Sequence, residues 1–396
     1  MSKRIFEFLG LKRNTAALLV MVILVGMGER MAERFLPIYL LALGGGILSI
    51  GYLNGANNLL NALYAYIGGY ASDLLGYKRA LLIFNVLAIL GYLIVIVFPF
   101  WQAVIVGSLF FLSWTAISLP ATMELVAKNL PMAKRTMGVS MHSLVRRIPM
   151  ALGPIVGGTF IVWFGEKDGV RLAFGGAMLL GFVSLIFQQL LIESGTEKKR
   201  AEGNPLKMWA QMPAQLKNLL VSDILIRFCE QIPYAFVVVW SMKVVGISAL
   251  QFGILTAVEM TTAALIYVPT AYLADRGTRK PFVVTTFWIF TAFPLLLLFS
   301  RSYPLLIIAF IVRGLKEFGE PTRKALILDL APENNKAGMF GVYYLVRDVI
   351  VSVAAFAGAF LWEVSPSLNF LSAFGFGIIG CVLFMVYGKS DIGKKV

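Results

Sequence analysis

The chain has 396 residues, of which 59% are hydrophobic and 14% charged, with a mean hydropathy of +0.80. Soluble domains carry about a quarter of their residues charged, so this composition excludes an ordinary soluble protein. A net charge of +14 would suit nucleic acid, but the lysines and arginines gather in alternate loops between long apolar runs, which excludes that partner.

A helix rising 1.5 Å per residue needs about 20 apolar residues to cross the hydrocarbon layer. Twelve runs meet that length: 15–42, 47–72, 80–99, 102–126, 138–164, 170–192, 216–243, 248–274, 281–300, 303–328, 338–362 and 367–388. Runs this long are far beyond barrel strands, so an all-α integral membrane protein with twelve transmembrane helices is expected. No cleavable leader is evident before the first run, which is read as a retained span. Basic clusters at Lys3 and Arg4, Lys78 and Arg79, Lys134 and Arg135, Lys198 to Arg200 and Lys394 and Lys395 place both termini and the central loop on the cytoplasmic side. The polar stretch 193–215 divides an amino-terminal part, 1–192, from a carboxy-terminal part, 216–396.

Ionisable groups at membrane depth are costly, so each is a candidate for function. The first run carries Glu29, Arg30, Glu33 and Arg34. Glu29 and Glu33 share a helix face, and Arg30 is three residues from Glu33, a pairing distance. Glu29 is about 21 Å into its run, near mid-bilayer. The second run presents Asn54, Asn57, Asn58 and Asn61 at i, i+3, i+4 and i+7, one amide stripe that should face protein or water. Arg146 and Arg147 open the fifth run, which continues to Gly153, Pro154, Gly157 and Gly158, small residues suited to close helix packing. The seventh run holds Arg227, Glu230 and Gln231, and the eighth holds Glu259. The tenth holds Arg313 and Glu317, with Lys316 and Glu320 beside them, and the eleventh holds Arg347 and Asp348. Prolines at 120 and 321 are expected to kink the fourth and tenth runs. Cys229 and Cys381 lie within spans and imply no disulfide framework.

These features repeat. At an offset of 201, Glu29 matches Glu230, Pro120 matches Pro321, Arg146 matches Arg347 and Gly157 matches Gly358; around the second and eighth runs the offset is 202, as from Gly51 to Gly253 and Asp73 to Asp275. One register across Glu, Arg, Pro and Gly marks a duplication, two six-helix halves.

The stretch Gly69-Tyr70-Ala71-Ser72-Asp73-Leu74-Leu75-Gly76-Tyr77-Lys78-Arg79, with its looser copy Ala271 to Lys280, resembles the cytoplasmic loop signature of the major facilitator superfamily. The resemblance spans the whole chain. It implies two pseudo-symmetric six-helix bundles, the major facilitator fold, rocking by alternating access. Leu74 departs from the arginine usual in that signature, and the second copy has Ala271 for its first glycine. Gly76 and Gly277 permit tight turns between antiparallel helices. Asp73 and Asp275, with Arg79 and Arg279, are read as gating groups, together with Arg146, Arg147, Arg347 and Asp348. The segment from Ala151 to Gly158 is similar to the end of a fifth-helix signature of drug/proton antiporters, with its upstream glycines incomplete.

Glu29, Glu33, Glu230 and Glu259 are the proton-coupling candidates, because desolvation and a nearby guanidinium oppose one another at a buried carboxylate. Arg30, Arg34, Asn54, Asn57, Asn58, Asn61, Arg227, Gln231, Arg313 and Glu317 are cavity or substrate candidates. The leading expectation is a monomeric, multi-pass transporter of the cell membrane, exporting a small amphipathic or cationic compound in exchange for protons. Proton-coupled uptake of a sugar or organic anion stands beside it, as do a lipid flippase and a non-transporting membrane sensor. No nucleotide loop, metal-ligand cluster or nucleophile arrangement is present, so no enzyme, cofactor or metal is expected.

Overall fold

The computed structural model describes residues 13–111, 132–191, 205–274, 279–332 and 336–388. Every predicted run is mainly helical over its described residues. In chain order these are α1 (Arg13–Glu33), α2 (Leu36–Ala42), α3 (Gly46–Leu75), α4 (Tyr77–Val97), α5 (Trp101–Phe111) and α6 (Met132–Leu191). Then follow α7 (Pro205–Ala210), α8 (Ala214–Tyr234), α9 (Phe236–Val239) with a π-helical extension Trp240–Val244, α10 (Ala249–Ala274) and α11 (Arg279–Phe299). Next come α12 (Tyr303–Leu315), a 3-10 turn Lys316–Gly319, α13 (Glu320–Leu330), α14 (Lys336–Val364) and α15 (Pro366–Tyr387).

Among the described residues, six helices are long and apolar enough to cross a bilayer, α6 being one of them, and α8 with α9 makes a seventh, bent by 40°. Local breaks account for part of the difference from twelve runs. The fifth and sixth are joined as α6 and separated by Gly165, whose φ of 81° only glycine adopts freely. Gly76, φ 77°, makes the equivalent tight turn between α3 and α4. The tenth is interrupted at Lys316–Gly319, where Pro321 sits in the first turn of α13 and its missing N–H is harmless. Pro120 lies outside the described residues.

The duplication is visible in helix ends. Glu33 and Tyr234 are 201 residues apart, so α1 and α8 stop in register. Val97 and Phe299 are 202 apart, so α4 and α11 also end in register. Different prolines accompany the matching breaks: Pro37 opens α2, whereas Pro233 closes α8.

The residues gather into two compact units. Unit 1 comprises Met1–Gly46, Leu60–Ala201 and Ser248–Ala257; unit 2 comprises Ile47–Leu59, Glu202–Ile247 and Val258–Val396. Each is built mainly from one sequence half and takes half a helix from the other, so α3 and α10 are each divided. Within unit 1, Tyr92, Phe111 and Phe174 form a ring cluster and Asn85 bonds to Gln188 at 2.5 Å. Unit 2 has an apolar core in which Leu216, Leu219, Ile226, Val283, Phe287, Leu326, Ile327 and Phe384 are buried, and Met208 and Met212 of the linker insert into it.

Candidate functional site

In unit 2 the helix periodicity lines up charge on facing surfaces. On α8, Asp223, Arg227 and Glu230 are spaced i, i+4, i+7, one stripe. Arg313, Lys316, Glu320 and Arg323 follow one another at three- or four-residue steps through α12, the 3-10 turn and α13. The break at Lys316–Gly319 is held by the Gly319 N–H, which donates to Thr286 Oγ1 at 2.5 Å, and by Phe318 stacking on Phe282. Tyr343, Tyr344, Arg347 and Asp348 approach from α14, and Glu259 from α10.

The pairing is continuous. Lys316 Nζ lies 3.5 Å from Glu259 and donates to Glu230 at 2.9 Å; Arg313 Nε lies 3.3 Å from Glu259. Arg227 Nη1 donates to Glu230 Oε2 at 2.7 Å, and its Nη2 donates to Glu320. Glu320 also accepts from Arg323 at 2.8 Å. Arg323 donates to Asp223 at 2.5 Å; the same carboxylate accepts from Tyr343 at 3.0 Å and Arg347 at 3.5 Å. Arg347 in turn donates to Asp348 at 2.7 Å. Asp223, Glu259, Arg313, Glu320, Arg323 and Arg347 are all buried. Unpaired, each would be prohibitive in a membrane interior, so acids and bases alternate along the chain. Arg227 is the branch point, touching Glu230, Glu320 and, at 3.8 Å, Asp223.

A small cleft opens beside this chain, lined by Glu230, Ile289, Phe290, Phe293, Arg313 and Lys316. Next to Glu230 in sequence, Gln231 ties α8 to the first half of α3: Asn54 donates to its carbonyl at 3.3 Å and Asn58 to its side chain at 3.2 Å. The expected amide stripe is thus partly spent on protein. Asn57 is half-buried and Asn61 exposed.

Unit 1 carries a smaller cluster. Arg30 pairs with Glu33 at 2.5 Å and lies 3.9 Å from buried Glu29. Arg146 lies within electrostatic range of both Glu29 and Arg30, while Arg34 and Arg147 are half-buried. The glycines of α6 explain how it comes so close. A Cβ on Gly153 would meet Arg30, and one on Gly157 would strike the Met31 carbonyl. Gly158 faces the Ala249 backbone, and Gly253 of α10 faces Pro154 and Ile155 in return. Unit 2 repeats the device in register, with Gly358 against the Ile232 carbonyl and Gly51 against Ala359.

Of the other loop candidates, Arg79 is exposed and Arg279 pairs with Asp329. Asp275 and Gly277 lie outside the described residues, as does the Asp73 side chain. Glu317 is half-buried.

Asp223 and Arg323 complete the chain although neither was named from the sequence, and Lys316 and Glu320 were named only as neighbours of Arg313 and Glu317. Their signal was present as the i, i+4 step from Asp223 to Arg227 and the stripe through the tenth run. It was hidden because Glu320 and Arg323 lie close to the end of their apolar run, where charges look ordinary.

A family model described as Major Facilitator Superfamily matches residues 18–229 and again 219–395. The chain is 21% identical over 379 residues, 91% of each chain, to an uncharacterized MFS-type transporter of Methanocaldococcus jannaschii. Among solved structures it is similar to the nucleoside transporter NupG, with TM-score 0.82 and 12% identity over 95% of this chain and 100% of that one. It is also similar to the human organic anion transporter MFSD10 (TETRAN), with TM-score 0.69 and 16% identity over 94% and 98%.

Proposed function

Because the chain belongs to the Major Facilitator Superfamily, it is a multi-pass membrane protein serving secondary transport, and we propose that it couples the movement of a small amphipathic compound to protons by alternating access. One observation carries the proton coupling: Lys316 is shared between Glu230 and Glu259 at the cleft. Protonating either carboxylate leaves Lys316 to the other, so the charge facing the cleft changes by a unit without exposing an unpaired acid. The transporter works in the cell membrane as a monomer, with both termini cytoplasmic, as the basic loops favour. Asp73 and Asp275, with their neighbouring turns, serve as cytoplasmic gating groups. Export was favoured by the antiporter-like segment, but packing against Arg30, Met31 and Ala249 accounts for Gly153, Gly157 and Gly158. Direction therefore follows the gradients imposed on one cavity.

The test is flux in proteoliposomes under an imposed pH gradient, using a panel of arenecarboxylates and lipophilic amines. Wild-type flux of at least one probe should respond to the gradient, and Glu230→Gln and Glu259→Gln should each abolish that response while exchange at equal pH continues. A gradient response unchanged in both variants and in their double would remove this pair from coupling.

A further inference from the structure

Arg313 differs from every other base in the charge chain. Its side chain is 4% exposed, yet it lines the cleft. Its guanidinium carbon lies 4.9 Å from the Phe293 ring centre, 5.6 Å from Tyr234 and 5.7 Å from Phe310, so three rings surround the group. Arg323, Arg227 and Arg347 each use terminal amino groups on carboxylates. Arg313 does not: among the described residues its acidic partner is Glu259, reached through Nε at 3.3 Å. Among the described residues its two terminal amino groups donate no hydrogen bond, and neither is sealed from the cleft.

A rigid guanidinium with both prongs free, in a water-poor aromatic setting, matches the two oxygens of a carboxylate. Charge balance narrows the ligand further. Arg313 and Lys316 face Glu230 and Glu259, so the four groups are neutral together, and Glu230 is also held by Arg227. An incoming monoanion leaves the set one charge negative, and a proton on Glu230 or Glu259 restores neutrality. A dianion would need two. The walls beside Arg313 are Ile289, Phe290 and Phe293, apolar surface on which the apolar part of a ligand can lie.

We propose that Arg313 is the receptor for the carboxylate of an amphipathic monoanion whose apolar part lies on Phe290 and Phe293, and that this anion and a proton bind together. The inference rests on the proton-coupled reading above and assigns its amphipathic substrate a negative charge.

Benzoate, neutral benzamide and cationic benzylamine are isosteric probes that separate charge from shape. Binding is measured on the purified full chain by tryptophan fluorescence, with proton uptake followed in weak buffer, and flux is measured in proteoliposomes. Benzoate should bind with uptake of about one proton per anion, while the amide and amine bind weakly or not at all. Arg313→Gln should weaken benzoate at least about tenfold, the scale of a charge-assisted pair. Arg313→Lys keeps the charge without the fork and should recover only part of that loss. If Arg313→Gln fails to stay folded on size exclusion, Arg313→Lys alone decides: wild-type affinity there overturns the fork. Preference for benzylamine, or full benzoate affinity in Arg313→Gln, overturns the receptor. Flux of benzylamine driven by the pH gradient, with benzoate inert, would leave proton coupling standing and remove the anion site. Benzoate binding at Arg313 with no gradient-driven flux would do the reverse.

Discussion

Asp223 shows what a single buried charge does in this protein. It is fully buried and accepts from Arg323, Arg347 and Tyr343, so three groups on α13 and α14 converge on one carboxylate of α8. Asp223→Asn removes the charge but keeps the shape, leaving Arg323 and Arg347 with less compensation. Breaking one partner of a buried pair costs about 3–5 kcal/mol. A fall in melting temperature in detergent is therefore expected, with part of it recovered in Asp223→Asn combined with Arg323→Gln, because the second change removes the stranded cation. A double mutant no more stable than the single would show that the pair is not coupled. Sequence gave half of this residue's role: the four-residue step to Arg227 is local and legible. Its meeting with Arg323, a hundred positions away, is not, since nothing in the spacing of one helix says which helix lies opposite.

At the level of elements, missing side chains matter as much as present ones. Gly157 and Gly358 occupy equivalent places in α6 and α14, and each lets its helix rest on a main-chain carbonyl, of Met31 and Ile232. Gly175 has nothing within 4 Å of its would-be Cβ. Gly157→Val and Gly358→Val should each cost about 1–3 kcal/mol or more through overpacking, whereas Gly175→Ala should be close to neutral. Thermal unfolding monitored by scattering separates these outcomes, and an unaffected Gly157→Val would mean that α6 and α1 are not held at this distance. The glycine and proline positions were readable as a duplication. Their purpose was not, because small residues serve packing, bending and turns alike, and only the neighbouring backbone distinguishes these.

The whole molecule is two units that do not divide at the linker alone. Residues Ile47–Leu59 belong with unit 2, tied there by Asn54 and Asn58 to Gln231 and by Gly51 to Ala359. Ser248–Ala257 belong with unit 1, where Phe252 meets Phe35 and Gly253 meets Pro154. Each sequence half is therefore incomplete by itself. Two polypeptides, 1–192 and 205–396, should be unstable when made singly and should restore transport when made together. A stable, monodisperse 205–396 fragment would show that the borrowed half-helix contributes little to unit 2.

The amino-acid order by itself determined membrane insertion, helix number, the duplicated frame and most of the charged residues, because these follow from apolar length and from local period. Which charges meet was decided by tertiary structure. Lys316 lies between two acids, Arg313 keeps its prongs free and Arg227 branches to three carboxylates because α8, α10 and the broken α12–α13 pack side by side in unit 2. A buried ion is stabilised only by groups within a few ångströms, and that distance is set by packing between helices whose paired residues the chain separates by as many as 124 positions.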